Sequence, residues 1–182
     1  MKHLGIFIFV LFFFNQSLQA QLMVREEDKK TGKVLLRGLM QFSDIQKEST
    51  CVWFVKGADA YQPDNEAIQT LKKVSGDYRY IVFIGTWCED TRNLFPKFYK
   101  VLQDARIDEH AVELYGVNRK KEALNIEHTL YNIQKVPTII VMHQFREVGR
   151  IVESSTNIET ELAMLMEKDY VRLEEERAKK FK

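Results

Sequence analysis

The chain has 182 residues, which is enough for one self-supporting domain and short for two. Its 27 Lys and Arg side chains are balanced by 26 Asp and Glu side chains, so no basic excess is available to neutralise a phosphate backbone. This balance argues against nucleic acid as a partner. The two cysteines are too few for a disulfide-stapled scaffold, and a chain of this length does not need one.

The N-terminus has the pattern of a secretory signal peptide. A short basic start precedes the apolar run Leu4–Phe14, and a polar stretch then ends at the small residue Ala20. The run is shorter than the roughly 20 apolar residues that a membrane-spanning helix needs. We expect a signal peptide over residues 1–20, a mature chain from Gln21 in the periplasm or medium, and no stable membrane insertion after cleavage. A retained N-terminal anchor is the alternative.

The segment after the cleavage point has no convincing helical or strand periodicity. We therefore expect a mobile or irregular lead-in over residues 21–43, followed by the folded domain over residues 44–182. The part between residues 42 and 61 permits two interpretations. A helix is favoured, whereas the apolar run CVWFV by itself is compatible with a buried strand.

The rest of the chain predicts alternating strands and helices. Residues 63–74 predict a helix, because Pro stands at the start, acids in the first turn and lysines in the last turn. Residues 78–85 predict a strand that becomes continuously apolar, as in a sheet covered on both faces. The remaining predicted elements are a helix from residue 88 to about residue 105, a strand over 111–118, a helix over 120–133, strands over 137–143 and 146–154, and a helix from Asn157 with a charged, fraying end.

This order predicts the fold class. Strands that alternate with helices pair in parallel through right-handed crossovers, and two strands joined by a short connection form an antiparallel hairpin. The expected fold is therefore α/β, a three-layer sandwich with a central mixed sheet and helices on both faces.

The stretch IVFIGTWCEDTRNLFP over residues 81–96 places a thiol where a strand gives way to a helix. The unpaired N–H groups and the macrodipole at a helix N-terminus stabilise an anion, and the thiolate is the reactive form of cysteine. Cys88 is therefore a candidate nucleophile. The carboxylates of Glu89 and Asp90 oppose a negative sulfur, and Arg92 partly offsets them, so these three residues are predicted to modulate the thiol.

The chain from about residue 80 to residue 166 resembles the thioredoxin-fold family. The resemblance rests on Trp87 and Cys88 after a strand, on Pro96 further along the helix, and on the Val136-Pro137-Thr138 sequence at the start of the hairpin. It implies a cis bond before Pro137 that faces Cys88, with Trp87, Val136 and Pro137 in a substrate-binding surface. More narrowly, GTWCEDTRNLFP with a downstream GRIVES is similar to a group of secreted bacterial thioredoxin-like proteins with a Trp-Cys-x-Asp-Thr/Ser motif.

Three positions depart from that family. Thr91 stands where a dithiol member has its second cysteine; its hydroxyl could donate to a Cys88 thiolate, but it cannot resolve a mixed disulfide. Val82 stands where dithiol members carry a buried acid, so both parts of the resolving machinery are absent. Glu153 replaces a small glycine in the surface that receives polypeptide substrates, which puts the docking of an extended partner in doubt.

The other candidate side chains favour structural roles. Cys51 is expected in packing, with a distant resolving thiol as the alternative. The histidines at positions 110, 128 and 143 lie on separate predicted elements without ligand spacing, so neither a metal nor another cofactor is expected.

Two functions follow as hypotheses. The first is a secreted single-cysteine thiol-disulfide oxidoreductase or exchange protein, in which Cys88 and Thr91 form the catalytic pair and the partner is a small thiol or a protein with a thiol or disulfide. The alternative is a redox-silent binding module of the cell envelope with the same fold, because fold alone does not choose between them. Peroxidase chemistry lacks the expected Thr-x-x-Cys pattern.

Overall fold

The computed structural model describes residues 22–29 and 31–180 of the chain. The predicted signal peptide over residues 1–20 lies outside the described residues, so its prediction stays untested. Across the described part, no helix combines the length and the apolar character needed to cross a membrane.

The described residues form a mixed α/β structure. The strands are β1 (Met23–Glu27), β2 (Val34–Met40), β3 (Tyr78–Ile84), β4 (Val112–Gly116), β5 (Thr138–His143) and β6 (Arg146–Val152). The helices are α1 (Phe42–Lys47), α2 (Val52–Ala60), α3 (Asn65–Val74), α4 (Glu89–Ala105), α5 (Glu127–Leu130) and α6 (Ile158–Lys180).

The strands form one six-stranded mixed sheet in the order β1-β2-β4-β3-β5-β6. The central strands β3 and β4 are parallel, and the other neighbours are antiparallel. The predicted parallel pair and the predicted β5–β6 hairpin are therefore both confirmed.

Strand β3 is buried on both faces, as its continuous apolar sequence predicts. Successive side chains of a strand point to opposite faces, and those of β3 divide between two cores accordingly. Tyr80 and Val82 pack into a large core with side chains from helices α1, α2, α3, α4 and α6. Ile81 and Phe83 pack into a smaller core with Val117 and other residues that precede β5.

The expectation of a mobile or irregular lead-in over residues 21–43 is wrong. Strands β1 and β2 form a hairpin there, and β2 continues into the sheet by pairing with β4. The domain thus includes β1 and does not begin at residue 44. The strand pattern of β1 is hard to recognise in the sequence because charged side chains occupy this edge strand. Arg25 pairs with Glu48 at 2.9 Å, and Glu26 pairs with Arg37 at 3.1 Å.

The predicted helix over residues 120–133 is also wrong in extent, since only the four residues of α5 are helical. The carbonyl oxygen of the Asn118 side chain accepts from the backbone N–H groups of Lys120 and Glu122. Side chains that bond to nearby backbone compete with helical hydrogen bonds. Lys121 adds a left-handed backbone conformation, with φ of 67°, which a helix cannot contain.

The other helical predictions are confirmed. The segment between residues 42 and 61 contains α1 and α2 rather than a strand, and α3 begins after Asp64, whose carboxylate accepts from the N–H of Ala67 at 2.9 Å. Helix α6 extends through the charged stretch to Lys180, and the expected fraying of its end stays a prediction. Arg172 with Glu176 and Arg177 with Glu174 pair along this stretch.

Candidate functional site

The end of β3 and the start of α4 position Cys88. The backbone N–H of Cys88 donates to the carbonyl of Gly85 at 2.8 Å, which closes the turn that follows the strand. Cys88 is the N-cap residue of α4, and its carbonyl accepts the N–H of Arg92 at 3.2 Å. The thiol thus lies at the positive end of a 17-residue helix, as predicted.

The Cys88 sulfur lies between the start of α4 and the segment before β5. Its Sγ atom is 3.3 Å from the carbonyl oxygen of Val136, to which the thiol donates, and 3.9 Å from Oδ2 of Asp90. The Val136–Pro137 bond is cis, which confirms the sequence prediction. Cys88 is half-buried, so it is neither enclosed in the core nor fully exposed on the surface.

Two contacts hold the indole ring of Trp87 in place. Its indole Nε1 donates to the carbonyl of Val117 at 3.0 Å, and the guanidinium of Arg119 lies 5.0 Å from the ring. The ring packs so closely on Gly85 that a Cβ atom at that position would lie 2.7 Å from the indole. The absence of a side chain at Gly85 therefore allows Trp87 to lie beside the thiol.

Thr91 is completely buried in the first turn of α4. Its Oγ1 accepts from the backbone N–H of Gly85 at 3.2 Å. The hydrogen bonds of the described residues do not include the predicted one from Thr91 to Cys88. In this state Thr91 positions the turn that carries the cysteine.

The charged residues that follow Cys88 divide into two groups. Glu89 and Asp90 are exposed on the first turn of α4. Arg92 turns back from the helix, and its Nε and Nη2 atoms donate to the carbonyl of Thr86 at 3.2 and 3.0 Å. Arg92 therefore secures the loop around the thiol rather than pairing with Asp90.

Sequence reasoning missed an ion pair that supports the site from the N-terminal hairpin. Asp28 is buried, with 3% exposure, and accepts from Arg119 at 2.6 Å from Nη2 and 3.0 Å from Nε. The hydrogen bonds to Asp28 raise the pKa of the Arg119 guanidinium, and a Coulombic interaction with Cys88 contributes in the same direction. Since Asp28 lies in a segment interpreted as irregular, the sequence offered no signal for this contact.

A second missed pair lies on the other side of the sulfur. Lys135 and Glu153 form an ion pair at 2.6 Å, and its hydrogen bond raises the pKa of Lys135. The backbone N–H of Glu153 donates to the carbonyl of Pro137 at 2.8 Å, and Glu153 has a left-handed φ of 64°. The position predicted to differ from the resembled family thus lies directly against Pro137, with its charge paired.

Cys51 has a different environment. It is 2% exposed and packs in the large core, whereas Cys88 packs against the small one. Burial raises the pKa of the Cys51 thiol, and both cysteines are free. Among the described residues, no group of three His, Cys, Asp or Glu side chains is arranged to hold a metal ion.

These observations define a mixed α/β chain with one accessible thiol at a helix N-terminus, next to a cis proline. No family model matches the chain, and no curated protein matches it. A solved protein of unknown function from Pseudomonas aeruginosa is similar at 15% identity, covers 65% of this chain and 74% of its own, and has a TM-score of 0.49. An HIV epitope-scaffold is similar at 15% identity over 64% of this chain and 73% of its own, with a TM-score of 0.47. Neither likeness assigns a family or an activity.

Proposed function

We propose that this chain is a thioredoxin-like protein of the cell envelope that exchanges thiols and disulfides through the single cysteine Cys88. The helices and loops on the two faces of the sheet would then form the three layers of that fold. The partner is a small thiol or a protein that carries a thiol or disulfide, and the apolar run near the N-terminus would direct export.

One observation carries the proposal. Cys88 is the N-cap residue of α4, is half-buried, and presents its sulfur 3.3 Å from the carbonyl oxygen of Val136. A sulfur in this position has an electropositive helix end behind it and solvent in front of it. Reactive cysteines lie in partly exposed, electropositive surroundings of this kind, whereas structural cysteines lie in closed apolar ones.

The first step is an attack of the Cys88 thiolate on one sulfur of a partner disulfide. A new bond forms between the two sulfurs, the partner's own S–S bond breaks, and its electron pair leaves with the second sulfur as a thiolate that then takes a proton. Cys88 and the attacked sulfur end in a mixed disulfide. The partner disulfide is the oxidant, so no further co-reactant is needed.

The second step requires a thiol from outside the chain. Thr91 has no sulfur, and Cys51 is closed within the large core, so neither is available to attack the mixed disulfide. An external thiolate attacks the partner's sulfur, forms a new disulfide with it and releases Cys88 as a thiolate. Exchange of this kind is reversible and leaves the redox state of Cys88 unchanged after one cycle.

One contact favours the second candidate, a redox-silent binding module. The Asp90 carboxylate lies 3.9 Å from the Cys88 sulfur, and two negative charges at this separation repel each other. The surface around Trp87 and Pro137 would then hold a partner chain without covalent chemistry.

The two candidates are separated by thiol–disulfide exchange with oxidised glutathione. The purified chain is mixed with oxidised glutathione, and intact mass spectrometry follows the addition of one glutathionyl group and its removal by a second small thiol. We expect addition and removal in the wild type and in Cys51→Ser, because both retain Cys88. No addition is expected in Cys88→Ser. A wild type that gains no glutathionyl group while folded, but gains it in denaturant, would reject exchange and leave the binding module.

A further inference from the structure

A small pocket lies beside Trp87, at the loop after β3. It has a volume of about 100 Å³, close to that of three water molecules at about 30 Å³ each. Besides Trp87, its wall contains three cationic side chains, Lys33, Arg92 and Arg119. The hairpin β1–β2, the loop after β3 and the segment after β4 thus bring three positive charges to one cavity.

Each cation retains a donor that the protein does not use. Arg92 donates to Thr86 through Nε and Nη2, and Arg119 donates to Asp28 through the same two atoms, so Nη1 remains on each guanidinium. Across residues 22–29 and 31–180, neither Nη1 atom nor the Lys33 ammonium makes a hydrogen bond or ion pair. The wall carries three positive charges, one of which is offset by Asp28, the partner of Arg119.

The hydroxyl groups of the wall do not compete for these donors. Thr31 donates to Asp28 at 2.6 Å, Thr50 donates to Glu48 at 3.0 Å, and Thr86 donates to Val34 at 3.5 Å. Their hydrogens are directed into the protein. The unused donors of the pocket are therefore the N–H groups of the cations, and charge-assisted N–H donors are suited to oxyanions.

We propose that this pocket binds a single oxyanion group, a phosphate, sulfate or carboxylate, as a free ion or as part of a small ligand. The volume accommodates one such group and excludes a whole nucleotide. Two guanidinium groups held by Thr86 and Asp28 are preorganised for it, which reduces the entropy lost on binding. An anion here would lie against Trp87, the residue before the thiol, so the site would select anionic ligands near Cys88.

The chain offers a direct optical probe of this site. It contains two tryptophans, Trp87 in the pocket wall and Trp53. Trp53→Phe leaves Trp87 as the sole indole and removes a buried N–H that has no hydrogen-bond partner in the described residues. The fluorescence of this variant is titrated with sodium phosphate, and separately with sodium acetate, at constant ionic strength set by sodium chloride. We expect a saturable change in fluorescence. The relative affinities for phosphate and acetate then distinguish a phosphate-like ligand from a carboxylate ligand.

Two matched substitutions show whether binding occurs in the pocket. Lys33→Gln removes a lining cation whose ammonium group makes no hydrogen bond or ion pair within the described residues. It should weaken binding of the anion about tenfold, the loss expected for one charge-assisted hydrogen bond. Lys29→Gln removes the same charge from the same loop outside the pocket and should leave affinity unchanged. No saturable change with either anion, or equal weakening by both substitutions, would overturn the proposal. The titration contains no disulfide, so its outcome is independent of thiol exchange.

Discussion

The two ends of strand β3 both gather charged side chains, but one end is centred on a buried carboxylate and the other on a half-buried thiol. At the start of β3, the Asp169 carboxylate is 4% exposed and is surrounded by donors. It accepts from Arg146, from Arg172 at 3.0 Å and from the hydroxyl of Tyr78 at 3.2 Å, and His143 lies 3.3 Å away. At the other end, a half-buried thiol donates to the carbonyl of Val136, and three cations retain unused donors.

The two ends use their charges differently. The Asp169 carboxylate ties α6 to β3 and the β5–β6 hairpin. A buried carboxylate that accepts hydrogen bonds from several elements holds those elements together. The Cys88 end is held by comparable bonds, from Asp28 and Thr86, but those bonds orient groups that still face a cavity or solvent. The accessible thiol, rather than charge itself, distinguishes the candidate site.

Replacement of the acid in the closed cluster is expected to have the largest effect. Asp169→Asn removes the charge that Arg146 and Arg172 share, although Arg172 keeps its pair with Glu176. Loss of these charge-assisted hydrogen bonds to a buried carboxylate should cost about 2.5 kcal/mol of unfolding free energy. Denaturant unfolding measures this loss. Asp104→Asn, which breaks the more exposed Lys100–Asp104 pair, should cost less than about 0.5 kcal/mol. Equal losses of unfolding free energy in the two variants would show that the Asp169 cluster does not hold these elements together.

The same carboxylate gives a pH dependence. Burial acts to raise the pKa of Asp169, but hydrogen bonds from Arg146 and Arg172 outweigh it, and the net pKa is lowered. A lowered pKa in the folded state means that this stability is present above the ordinary Asp pKa of about 3.9 and is lost as the pH falls below it. Acid unfolding profiles of the wild type should therefore be steeper below about pH 4 than those of Asp169→Asn. Parallel profiles would contradict this linkage.

The second effect concerns the support of Trp87 at the open end. Gly85→Ala places a Cβ atom 2.7 Å from the indole, so the ring must move or the turn must open. Overpacking of this kind costs about 2 kcal/mol. Gly76→Ala is the control, because a Cβ there meets nothing within 4 Å. Chemical unfolding and Trp fluorescence of both variants measure the effect, and an unperturbed Gly85→Ala would refute the close packing.

The third prediction adds the missing thiol. Thr91→Cys supplies an internal attacker one turn from Cys88, and intramolecular attack is far more effective than attack from solution. Insulin reduction coupled to thioredoxin reductase should rise roughly tenfold above the wild-type background. Thr91→Ser is the control, because it keeps the buried hydroxyl without adding sulfur. A Thr91→Cys rate equal to that of the control would show that the surface around Trp87 does not admit the insulin disulfide.

The smallest expected effect concerns the charge around the thiol. Arg92 and Arg119 line the pocket beside Trp87, the residue before Cys88, so an anionic alkylating agent should be favoured over a neutral one. The rate ratio of iodoacetate to iodoacetamide at Cys88 should fall roughly threefold in 1 M salt, where the Debye length is about 3 Å. Lys33→Gln should lower the ratio at low salt, and Lys29→Gln should not. A ratio that is insensitive to salt would contradict an electropositive approach to the sulfur.

Much of the central fold follows from the sequence because its signals are local. The apolar run of β3, the acid-to-lysine order of α3 and the short connection between β5 and β6 each predict an element by themselves. The hairpin β1–β2 cannot be predicted in this way, because its charged edge strand is stabilised by partners distant in the sequence, such as Glu48. The helix prediction over residues 120–133 is wrong for the opposite reason. Local hydrogen bonds to the Asn118 side chain override an apparent helical pattern.

The candidate site divides in the same way. Cys88, Trp87 and the Val136–Pro137 bond were predicted from motif positions, and the structure brings them together. Asp28, Arg119 and Lys33 were not, because they become neighbours only when the N-terminal hairpin pairs with β4. A pattern read along the chain carries no information about such contacts unless the strand pairing is known. The pocket beside Trp87 is a product of topology rather than of a motif.

The contrast between the two cysteines provides the most direct test of Cys88 as the reactive thiol. The native wild-type chain is treated with excess iodoacetamide for increasing times, unfolded and labelled with an isotopic form of the same reagent, and the two cysteine peptides are quantified by mass spectrometry. Cys88 should react at least about a hundredfold faster than Cys51, because Cys51 reacts only when the large core opens. Equal rates, or faster labelling of Cys51, would contradict the assignment of Cys88 as the exchange cysteine.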